Sequence, residues 1–468
     1  MKLKDRYQTK FGLKSTATLR GYQLKAVNLG VSIPGVALLM DPRLGKTRVD
    51  IAISGYHYLN SGLRKWVIVC PAIAKEVWKS EIESTLNVPY QVIIIDGELS
   101  SHRSSVQGMS RCQDILNIVI VNFESTWRIK KSLYKLCPDK VTVDESHRIK
   151  NNSAKQSRAI QTLGNRAKHR SILTGTLLST PVDVFSQYKF LDFTIFGTVK
   201  AEFLSKYVRT YGYMGYKPRS FKNLDLMHRK INSVAFKLTR EEAGGFPDEL
   251  YQTIYFDLTK PASQHYIEMK KTLTTIVNDQ NVTAPIVLTQ LLRLQQITGG
   301  FLPVQDPNDD LPVNVGIGSD RLSALLDLVW EYPGDTPLVI FARYRYEIKA
   351  IKTKLKYRKP GTIVGGMKSS ERSEVISNFQ SGKLNTCIVQ IRAGGIAVNL
   401  DRADTAIFYS ITHSFIDYEQ AKARIIGRSG GSVALINLCA KGTVDEEILE
   451  SVQNKKEVFD TVMKKILK

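Results

Sequence analysis

The chain has 468 residues, enough for two or three domains, and its 43% hydrophobic and 24% charged residues are a globular composition. A formal charge of +22, from 66 Lys and Arg against 44 Asp and Glu, favours a polyanionic partner, most often nucleic acid. Five widely spaced cysteines without a C-x-x-C pair argue against a zinc site or a disulfide framework and favour a reducing cytoplasm. Because no apolar run reaches the length of a membrane span, no membrane partner is expected.

Two series of short, β-rich apolar runs alternate with amphipathic segments, a pattern that predicts parallel sheets covered on both faces. The fold class expected is therefore α/β, with two RecA-like doubly wound domains. The domains are expected over 1–240, with a helical, aromatic-basic insertion near 195–235, and over 241–468, with a helical segment and loop near 260–330. The runs are GVALLM (35–40), KWVIVC (65–70), QVIIID (91–96), NIVIVN (117–122), KVTVDE (140–145), RSILTG (170–175), PLVIFA (337–342), GTIVGG (361–366), NTCIVQ (385–390), TAIFYS (405–410) and VALINL (433–438).

The first run leads into the loop MDPRLGKTRVD (40–50), which a helical pattern follows. Strand, glycine turn, Lys-Thr and helix is the context of a phosphate-binding loop. Lys46 would contact the β/γ-phosphates and Thr47 would bind Mg²⁺. The loop departs from the general pattern, because Met40 replaces its first glycine, and a chance Gly-Lys-Thr remains the alternative.

A second site lies in KVTVDESHRIKN (140–151), where Asp144 and Glu145 end a β-rich run. The carboxyl ends of parallel strands face the ligand crevice, so Asp144 could hold Mg²⁺ through water while Glu145 polarises the attacking water. An Asp-Glu pair alone is more often a solvated turn. Together with Lys46 and Thr47 upstream, the pair predicts a site of ATP hydrolysis.

These residues resemble superfamily 2 helicases and translocases of the Swi/Snf-like branch. Asp144-Glu145-Ser146-His147 is similar to motif II in its D-E-x-H form, and LRGYQLKAV (19–27) is similar to the Q motif. The resemblance implies that Gln23 reads the adenine edge, with Tyr22 or Arg20 stacking nearby. The phosphate loop of that branch, D-E-M-G-L-G-K-T, is matched in length by residues 40–47, which keep Leu44-Gly45-Lys46-Thr47 and have Arg43 in place of a glycine.

Further motifs follow in the order of the family. Segments 67–82, 172–192, 337–351, 391–410 and 417–431 resemble motifs Ia, III, IV, V and VI, so the likeness spans about 19–456. It implies that His147, Thr174 and Thr176 couple the γ-phosphate to domain movement. It also implies a set of nucleic-acid contacts: Lys75, Trp78, Lys237, Arg240, Arg343 and Arg392.

Motif VI departs from the family form Q-A-x-x-R-x-x-R. Arg424 fits the first arginine and is expected at the nucleotide, but the next arginine, Arg428, stands one place late. Since positions i and i+4 share a helix face, Arg428 could still act as the arginine finger. Two alternatives stay open: Gly427 turns the chain there, or Arg428 is a surface charge.

The aromatic and basic stretch 206–223 has two interpretations. Its tyrosines and cations could contact DNA, or the tyrosines could pack a small core of their own. The residues concerned are Tyr207, Arg209, Tyr211, Tyr213, Tyr216, Lys217 and Arg219.

The resemblance implies a monomeric, ATP- and Mg²⁺-dependent DNA translocase or helicase, with ATP between the two domains and duplex DNA as its track. Within this branch, the chain most resembles compact phage-encoded DNA helicases. That likeness implies that the protein acts on forked or branched DNA, as in branch migration, in a host cytoplasm. A nucleotide-gated DNA clamp with little hydrolysis is the alternative, and an RNA helicase is a weaker one.

Overall fold

The computed structural model describes residues 3–95, 114–175, 182–211, 217–272, 274–277, 280–283, 287–305, 312–318, 320–394, 398–427 and 431–454. The chain divides after Gly244 into two compact units, and unit 2 begins at Gly245. Within the described residues, no helix is long and apolar enough to cross a lipid bilayer.

Unit 1 is built on a seven-stranded sheet in which every strand pair is parallel, with the order β3-β4-β2-β5-β6-β1-β9. The strands of this unit are β1 (Gly35–Met40), β2 (Lys65–Cys70), β3 (Tyr90–Ile94), β4 (Leu116–Asn122), β5 (Lys140–Asp144), β6 (His169–Thr174), β7 (Val208–Tyr211), β8 (Lys217–Phe221) and β9 (Ala235–Leu238). β7 and β8 form a separate antiparallel hairpin.

The helices of unit 1 are α1 (Leu3–Lys10), α2 (Gly21–Ser32), α3 (Lys46–Asn60), α4 (Lys75–Thr85), α5 (Phe123–Arg128), α6 (Lys130–Leu136), α7 (Lys155–Gly164), α8 (Asp183–Leu191), α9 (Phe193–Phe196), α10 (Lys200–Tyr207), α11 (Leu224–Asn232) and α12 (Arg240–Ala243). All six residues of β1 are buried, because helices cover both faces of a parallel sheet.

Unit 2 has a six-stranded parallel sheet of order β10-β19-β18-β15-β17-β16. Its strands are β10 (Glu249–Phe256), β11 (Thr274–Val277), β12 (Gln280–Thr283), β13 (Phe301–Val304), β14 (Val313–Gly316), β15 (Leu338–Ala342), β16 (Gly361–Ile363), β17 (Thr386–Gln390), β18 (Thr405–Phe408) and β19 (Val433–Ala440). Its helices are α13 (Lys260–Thr272), α14 (Val287–Thr298), α15 (Asp320–Trp330), α16 (Arg345–Lys354), α17 (Ser369–Gln380), α18 (Ile391–Gly394) and α19 (Phe415–Lys422), and residues 444–454 are also helical.

The expected fold class is confirmed, and each of the apolar runs coincides or overlaps with a strand. Strands β9 and β10, which lie at the edges of the two sheets, were not predicted from the sequence. Their side chains are only partly buried or exposed, so neither strand carries the continuous apolar run of an interior strand. The expected helical insertion of unit 1 differs in one respect, since it contains the β7–β8 hairpin beside α9, α10 and α11.

A buried ion pair joins α3 to β5 inside unit 1. The Lys140 ammonium lies 2.7 Å from Asp50 Oδ1, and the two side chains are 1% and 0% exposed. Lys140 also donates to Ser54 Oγ at 2.7 Å, and the Thr142 hydroxyl donates to Asp50 Oδ2 at 2.7 Å. Burial lowers the pKa of Lys140 while the Asp50 carboxylate opposes that shift. A buried ion pair of this kind is tolerated because nearly every polar atom has a partner.

Replacement of Asp50 by alanine leaves the Lys140 charge buried without its carboxylate. We expect Asp50→Ala to lower the free energy of unfolding of unit 1 by about 3–5 kcal/mol. Arg48→Ala is the matched control on the same helix, because the Arg48–Glu81 pair is 37% and 29% exposed and should contribute at most about 1 kcal/mol. Urea unfolding followed by circular dichroism measures both variants. Equal losses in the two variants would contradict the buried-pair explanation.

Candidate nucleotide site

The loop between β1 and α3 has two left-handed residues. Arg43 has φ 69° and Gly45 has φ 81°, and Gly45 immediately precedes the first residue of α3. Glycine adopts this conformation without penalty, whereas a residue with a Cβ atom pays roughly 1–2 kcal/mol. Arg43 therefore keeps the backbone conformation that glycine would adopt. Arginine in place of the glycine of the family loop adds strain and a positive charge but does not change the course of the loop.

Gly45 is also required for space. A Cβ atom at this position would overlap Nε2 of Gln23, which is 5% exposed. The Gln23 amide donates to the Leu44 carbonyl at 3.0 Å and accepts from the Arg20 backbone N–H at 2.8 Å. The Q-motif helix α2 thus positions the phosphate loop directly. Recognition of adenine by Gln23, with Tyr22 half-buried and Arg20 exposed beside it, stays a prediction.

Lys46 is the first residue of α3, and its ammonium lies 2.7 Å from the Met40 carbonyl and 3.3 Å from the Asp41 carbonyl. Thr47 follows it, half-buried in the first turn of a 15-residue helix. The N-terminus of such a helix combines free backbone N–H groups with a positive dipole end. These are the features that a bound phosphate group needs.

Two other strands brace the loop from either side of β1. Asp41 accepts from the backbone N–H of Arg240 at 2.9 Å, and its own N–H donates to Leu238 at 3.0 Å. On the β6 side, a Cβ atom at Gly175 would come within 2.9 Å of Pro42 Cδ. The bracing role of Asp41 was missed, because its partner is 199 residues away and no local pattern signals it.

The carboxylate pair lies at the end of β5, in the same sheet as the loop. The indole N–H of Trp78 donates to Asp144 Oδ2 at 2.9 Å, and the Glu145 backbone N–H donates to Oδ1 at 3.0 Å. Burial, and next the charge of Glu145, raise the pKa of Asp144 to about 6, while the Trp78 hydrogen bond and the Lys46 ammonium oppose the rise. The charge of Lys46 therefore acts on Asp144, which ties the phosphate loop to the carboxylates.

Glu145 and His147 follow within one turn. Glu145 adopts φ 54° before a short 3₁₀ helix, Ser146–Ile149, and its Oε2 lies 3.3 Å from His147 Nδ1. Thr174 is fully buried at the end of β6, opposite Leu39 in the register with β1. Thr174 thus lies on the strand next to β1, His147 lies in the turn after β5, and Thr176 lies outside the described residues.

The structure corrects the expectation that Lys75 and Trp78 contact nucleic acid. Trp78 is 1% exposed and bonded to Asp144, and Lys75 is 4% exposed with its ammonium 2.9 Å from the Ile95 carbonyl. Buried side chains with internal partners have no surface to offer a strand. Both residues therefore act inside unit 1, and Trp78 belongs to the carboxylate site.

The remaining candidates for nucleic-acid contact have partly exposed or exposed side chains. Lys237 and Arg240 are half-buried on β9 and α12, and burial lowers the pKa of Lys237 to about 7. In unit 2, half-buried Arg343 donates to Gln295, while Arg392 is exposed and lies 3.6 Å from Asp417. Their contact with nucleic acid stays a prediction.

The aromatic stretch is described only in part. Tyr207 is 2% exposed and its ring lies 4.9 Å from that of Phe203 and 5.7 Å from that of Phe196, centre to centre. For this tyrosine the structure favours the small-core interpretation. Tyr213 and Tyr216 lie outside the described residues, as do the side chains of Tyr211, Lys217 and Arg219.

The expectation that the arginines of motif VI share a helix face is wrong, because the helix ends before Arg424. Helix α19 ends at Lys422, and Arg424 stands in the turn that follows, where its carbonyl accepts from Leu400 at 3.0 Å. A Cβ atom at Gly427 would lie 3.0 Å from Asp401 Cβ, so the chain passes close to that residue. The spacing of a helix face therefore does not apply after Lys422, and Arg428 lies outside the described residues.

The residues of unit 1 fit a Mg²⁺–nucleotide complex. Asp144 is a half-buried carboxylate beside a second carboxylate, an arrangement that a divalent cation stabilises by neutralising charge. Among the described residues no group of three or more His, Cys, Asp and Glu side chains gathers around one point. Mg²⁺ needs no such cage, because it usually keeps several waters and binds one or two carboxylates together with substrate phosphates.

Two family models match the chain. The SNF2-related domain matches residues 22–299, and the helicase conserved C-terminal domain matches residues 320–430. The first match alone covers more than half of the sequence.

Similar curated proteins include the chromodomain-helicase-DNA-binding protein 1-like of Mus musculus, 24% identical over 95% of this chain and 50% of its own length. The putative ATP-dependent helicase/translocase YwqA of Bacillus subtilis is 24% identical, over 95% of this chain and 49% of that protein. The DNA annealing helicase and endonuclease ZRANB3 of Bos taurus is 24% identical, over 96% of this chain and 41% of that protein. The chain spans about half the length of these relatives or less. A solved SWI2/SNF2 ATPase core of Sulfolobus solfataricus in complex with dsDNA is 20% identical, with a TM-score of 0.45 over 97% of this chain and 94% of that one.

A substitution at Gly45 combines backbone strain with overlap of the added Cβ atom and Gln23. Gly45→Ala should weaken ATP binding, because the new methyl displaces the Gln23 amide from the Leu44 carbonyl that it holds. Gly62→Ala is the matched control, since Gly62 has a similar φ of 69° but nothing within 4 Å of the added Cβ atom. The control should cost only about 1 kcal/mol of stability and leave ATP affinity unchanged. Equilibrium binding of ATP and thermal unfolding of both variants decide the point, and normal ATP affinity in Gly45→Ala would contradict it.

The indole donor of Trp78 predicts a pH effect. Asp144 must be ionised to hold a cation, so ATP hydrolysis should fall as the pH drops below about 6. Trp78→Phe removes a hydrogen bond that favours the carboxylate, which should move this acid limb upward by about one pH unit. Trp66→Phe is the control, because the buried Trp66 indole donates to Thr142 rather than to Asp144. The ratio kcat/KM measured from pH 5 to 9 reports the shift, and an identical limb in both variants would argue against it.

Proposed function

The chain belongs to the SNF2-related domain family, and we propose that it is an ATP-driven motor that moves along duplex DNA and acts on forked or branched DNA. One observation carries the proposal. Lys46 follows β1 and Asp144 ends β5, so the phosphate loop and the carboxylates lie at the same edge of one parallel sheet, and the Lys46 ammonium opposes the rise in the pKa of Asp144. A loop cation at the same sheet edge as a half-buried carboxylate pair is the arrangement that ATP hydrolysis needs.

In this proposal each residue of the site has one task. Lys46 and the first N–H groups of α3 bind the phosphates, and Arg43 adds a cation to the same loop. Thr47 and Asp144 hold Mg²⁺, which supplies charge neutralisation at the phosphates. Glu145 accepts a proton from the attacking water, and His147, 3.3 Å from Glu145, responds to the state of that carboxylate.

We propose that residues of both units couple ATP hydrolysis to movement. Thr174, buried beside Leu39 of β1, is suited to report a change at the loop to the sheet. Thr176 is assigned the same role by the family resemblance. Arg424 and Arg428 of unit 2 are assigned to the transferring phosphoryl group, where a guanidinium stabilises developing negative charge.

DNA as the partner rests on charge and on the family. The net charge of +22 favours a polyanion, and among the relatives one is described as a DNA annealing helicase and endonuclease. Lys237, Arg240, Arg343 and Arg392 are proposed as backbone contacts. The same proposal includes branch migration and an origin among compact phage-type enzymes. It also includes a reducing cytoplasm, which fits the free cysteines of the described residues.

The alternative function is a nucleotide-gated DNA clamp. Arg43 in a left-handed conformation is the observation that favours it, because loop strain could slow turnover without preventing binding. Tight ATP binding by the wild-type protein without release of phosphate would support the clamp.

The test is ATP hydrolysis with and without DNA in catalytic variants. Lys46→Ala should lose ATP binding, and Glu145→Gln should bind ATP but lower kcat by about 10²–10⁴-fold. Glu81→Gln, at a partly exposed carboxylate paired with Arg48, is the control and should keep full activity.

The substrate is decided by a panel of single-stranded, duplex, forked and four-way DNA together with duplex RNA. Stimulation by duplex, forked and four-way DNA supports the motor, and strand exchange on four-way DNA supports branch migration. Turnover that does not depend on DNA would overturn the motor, and stronger stimulation by RNA would indicate an RNA helicase.

A further inference from the structure

Unit 1 has a second concave site, formed by helices α5, α6 and α7 away from the phosphate loop. Its cavity has a volume of about 480 Å³, within the range of small-ligand pockets. None of the residues assigned to ATP or to nucleic acid above lines it. The lining residues are Trp127, Lys130, Tyr134, Lys155, Arg158, Ala159 and Thr162.

Three cations of this pocket lack an acidic partner in the described part of the chain. Lys130, Lys155 and Arg158 are exposed, and no described carboxylate lies within ion-pair distance of them. The nearby carboxylate of Glu124 is paired with Arg148, at 3.3 Å. Three unpaired cations around one cavity create a positive potential that favours an anion with several charges.

Two aromatic rings line the same pocket. The Lys155 ammonium lies 5.4 Å from the centre of the half-buried Trp127 ring, so cation and ring face one space. Tyr134 is fixed by its hydroxyl, which donates to the Ala159 carbonyl at 3.1 Å, and Arg166 lies 5.0 Å from its ring centre. Cations that bind phosphates beside a ring that stacks on a base are the means by which proteins hold single-stranded nucleic acid.

We propose that this pocket, formed by Trp127, Lys130, Lys155 and Arg158, is a second nucleic-acid site that binds single-stranded DNA. The concave shape favours a single strand, because a base within a duplex is stacked on both faces and cannot enter a cavity of this size. The cations would bind consecutive phosphates while one base stacks on Trp127. An enzyme that opens or remodels duplex DNA produces such a strand, so the site would hold it apart from the duplex.

The first experiment measures binding of a fluorescent oligothymidine to the full chain without ATP, by anisotropy. Trp127→Ala should weaken binding roughly tenfold, the effect of losing one stacked base. Trp330→Ala is the matched control, because Trp330 is 81% exposed on unit 2, and it should bind as the wild type does. Equal affinities for the Trp127→Ala and Trp330→Ala variants would overturn the proposal.

The second experiment tests the cations by the salt dependence of binding. Lys130→Glu with Lys155→Glu removes two phosphate contacts, which should reduce the slope of log K against log salt by about 1.4. Lys349→Glu with Lys352→Glu, at exposed positions of α16, changes the net charge equally and should leave the slope unchanged. The same slope in both double variants would mean that only overall charge matters and would overturn the site.

The third experiment uses tryptophan fluorescence. Trp66 and Trp78 are buried, so in a Trp330→Phe protein Trp127 is the most accessible of the three remaining tryptophans. Oligothymidine should quench this fluorescence, and Trp127→Phe in the same background should remove the quenching. Quenching that is absent in the Trp330→Phe protein, or unchanged on loss of Trp127, would overturn the proposal.

The second site rests on the proposed function only for its role in the cell. Separate measurements test the second site and the motor. Duplex-stimulated ATP hydrolysis, measured in the same variants, reports on the motor. Oligothymidine binding that depends on Trp127, measured without ATP, reports on the second site.

Discussion

The ion pair between Lys140 and Asp50 determines how the two halves of the nucleotide site meet. Asp50 lies one turn into α3, the helix that begins with Lys46, and Lys140 opens β5, the strand that ends in Asp144. Because both charges are buried, neither can leave its partner without a large cost in free energy. The helix that presents the phosphate loop is thereby held in register with the strand that presents the carboxylates.

Around this pair, the site is assembled from hydrogen bonds between distant segments, each with at least one side chain. Gln23 of α2 holds the Leu44 carbonyl, the N–H of Arg240 holds Asp41, and the indole of Trp78 holds Asp144. These contacts support the groups that would touch the nucleotide, which is how a functional site keeps its geometry. A change at α2, α12 or α4 therefore reaches the phosphate loop or the carboxylates through one hydrogen bond.

Unit 2 has a comparable anchor. Arg321 of α15 is fully buried, forms an ion pair with Asp445, and donates to the Tyr409 carbonyl at 3.0 Å and to Thr298 at 2.8 Å. Burial alone would lower the pKa of Arg321. The charge of Asp445 is the largest effect in the opposite direction, and the pKa of Arg321 is raised. One buried guanidinium thus joins the end of α14, the residue after β18 and the helical segment 444–454.

The amino-acid pattern alone was enough to predict the interior strands of both sheets, the loop and the carboxylate pair. Continuous apolar runs such as GVALLM predict interior strands, and Gly45-Lys46-Thr47 and Asp144-Glu145 stand at strand ends, where parallel sheets place their sites. Only the tertiary structure decided that Arg43 takes the left-handed conformation, that Trp78 points inward to Asp144 and that Asp41 bonds to Arg240. A motif specifies residue types in order along the chain. The direction of a side chain, and its partner 66 or 199 residues away, depend on which strands become neighbours.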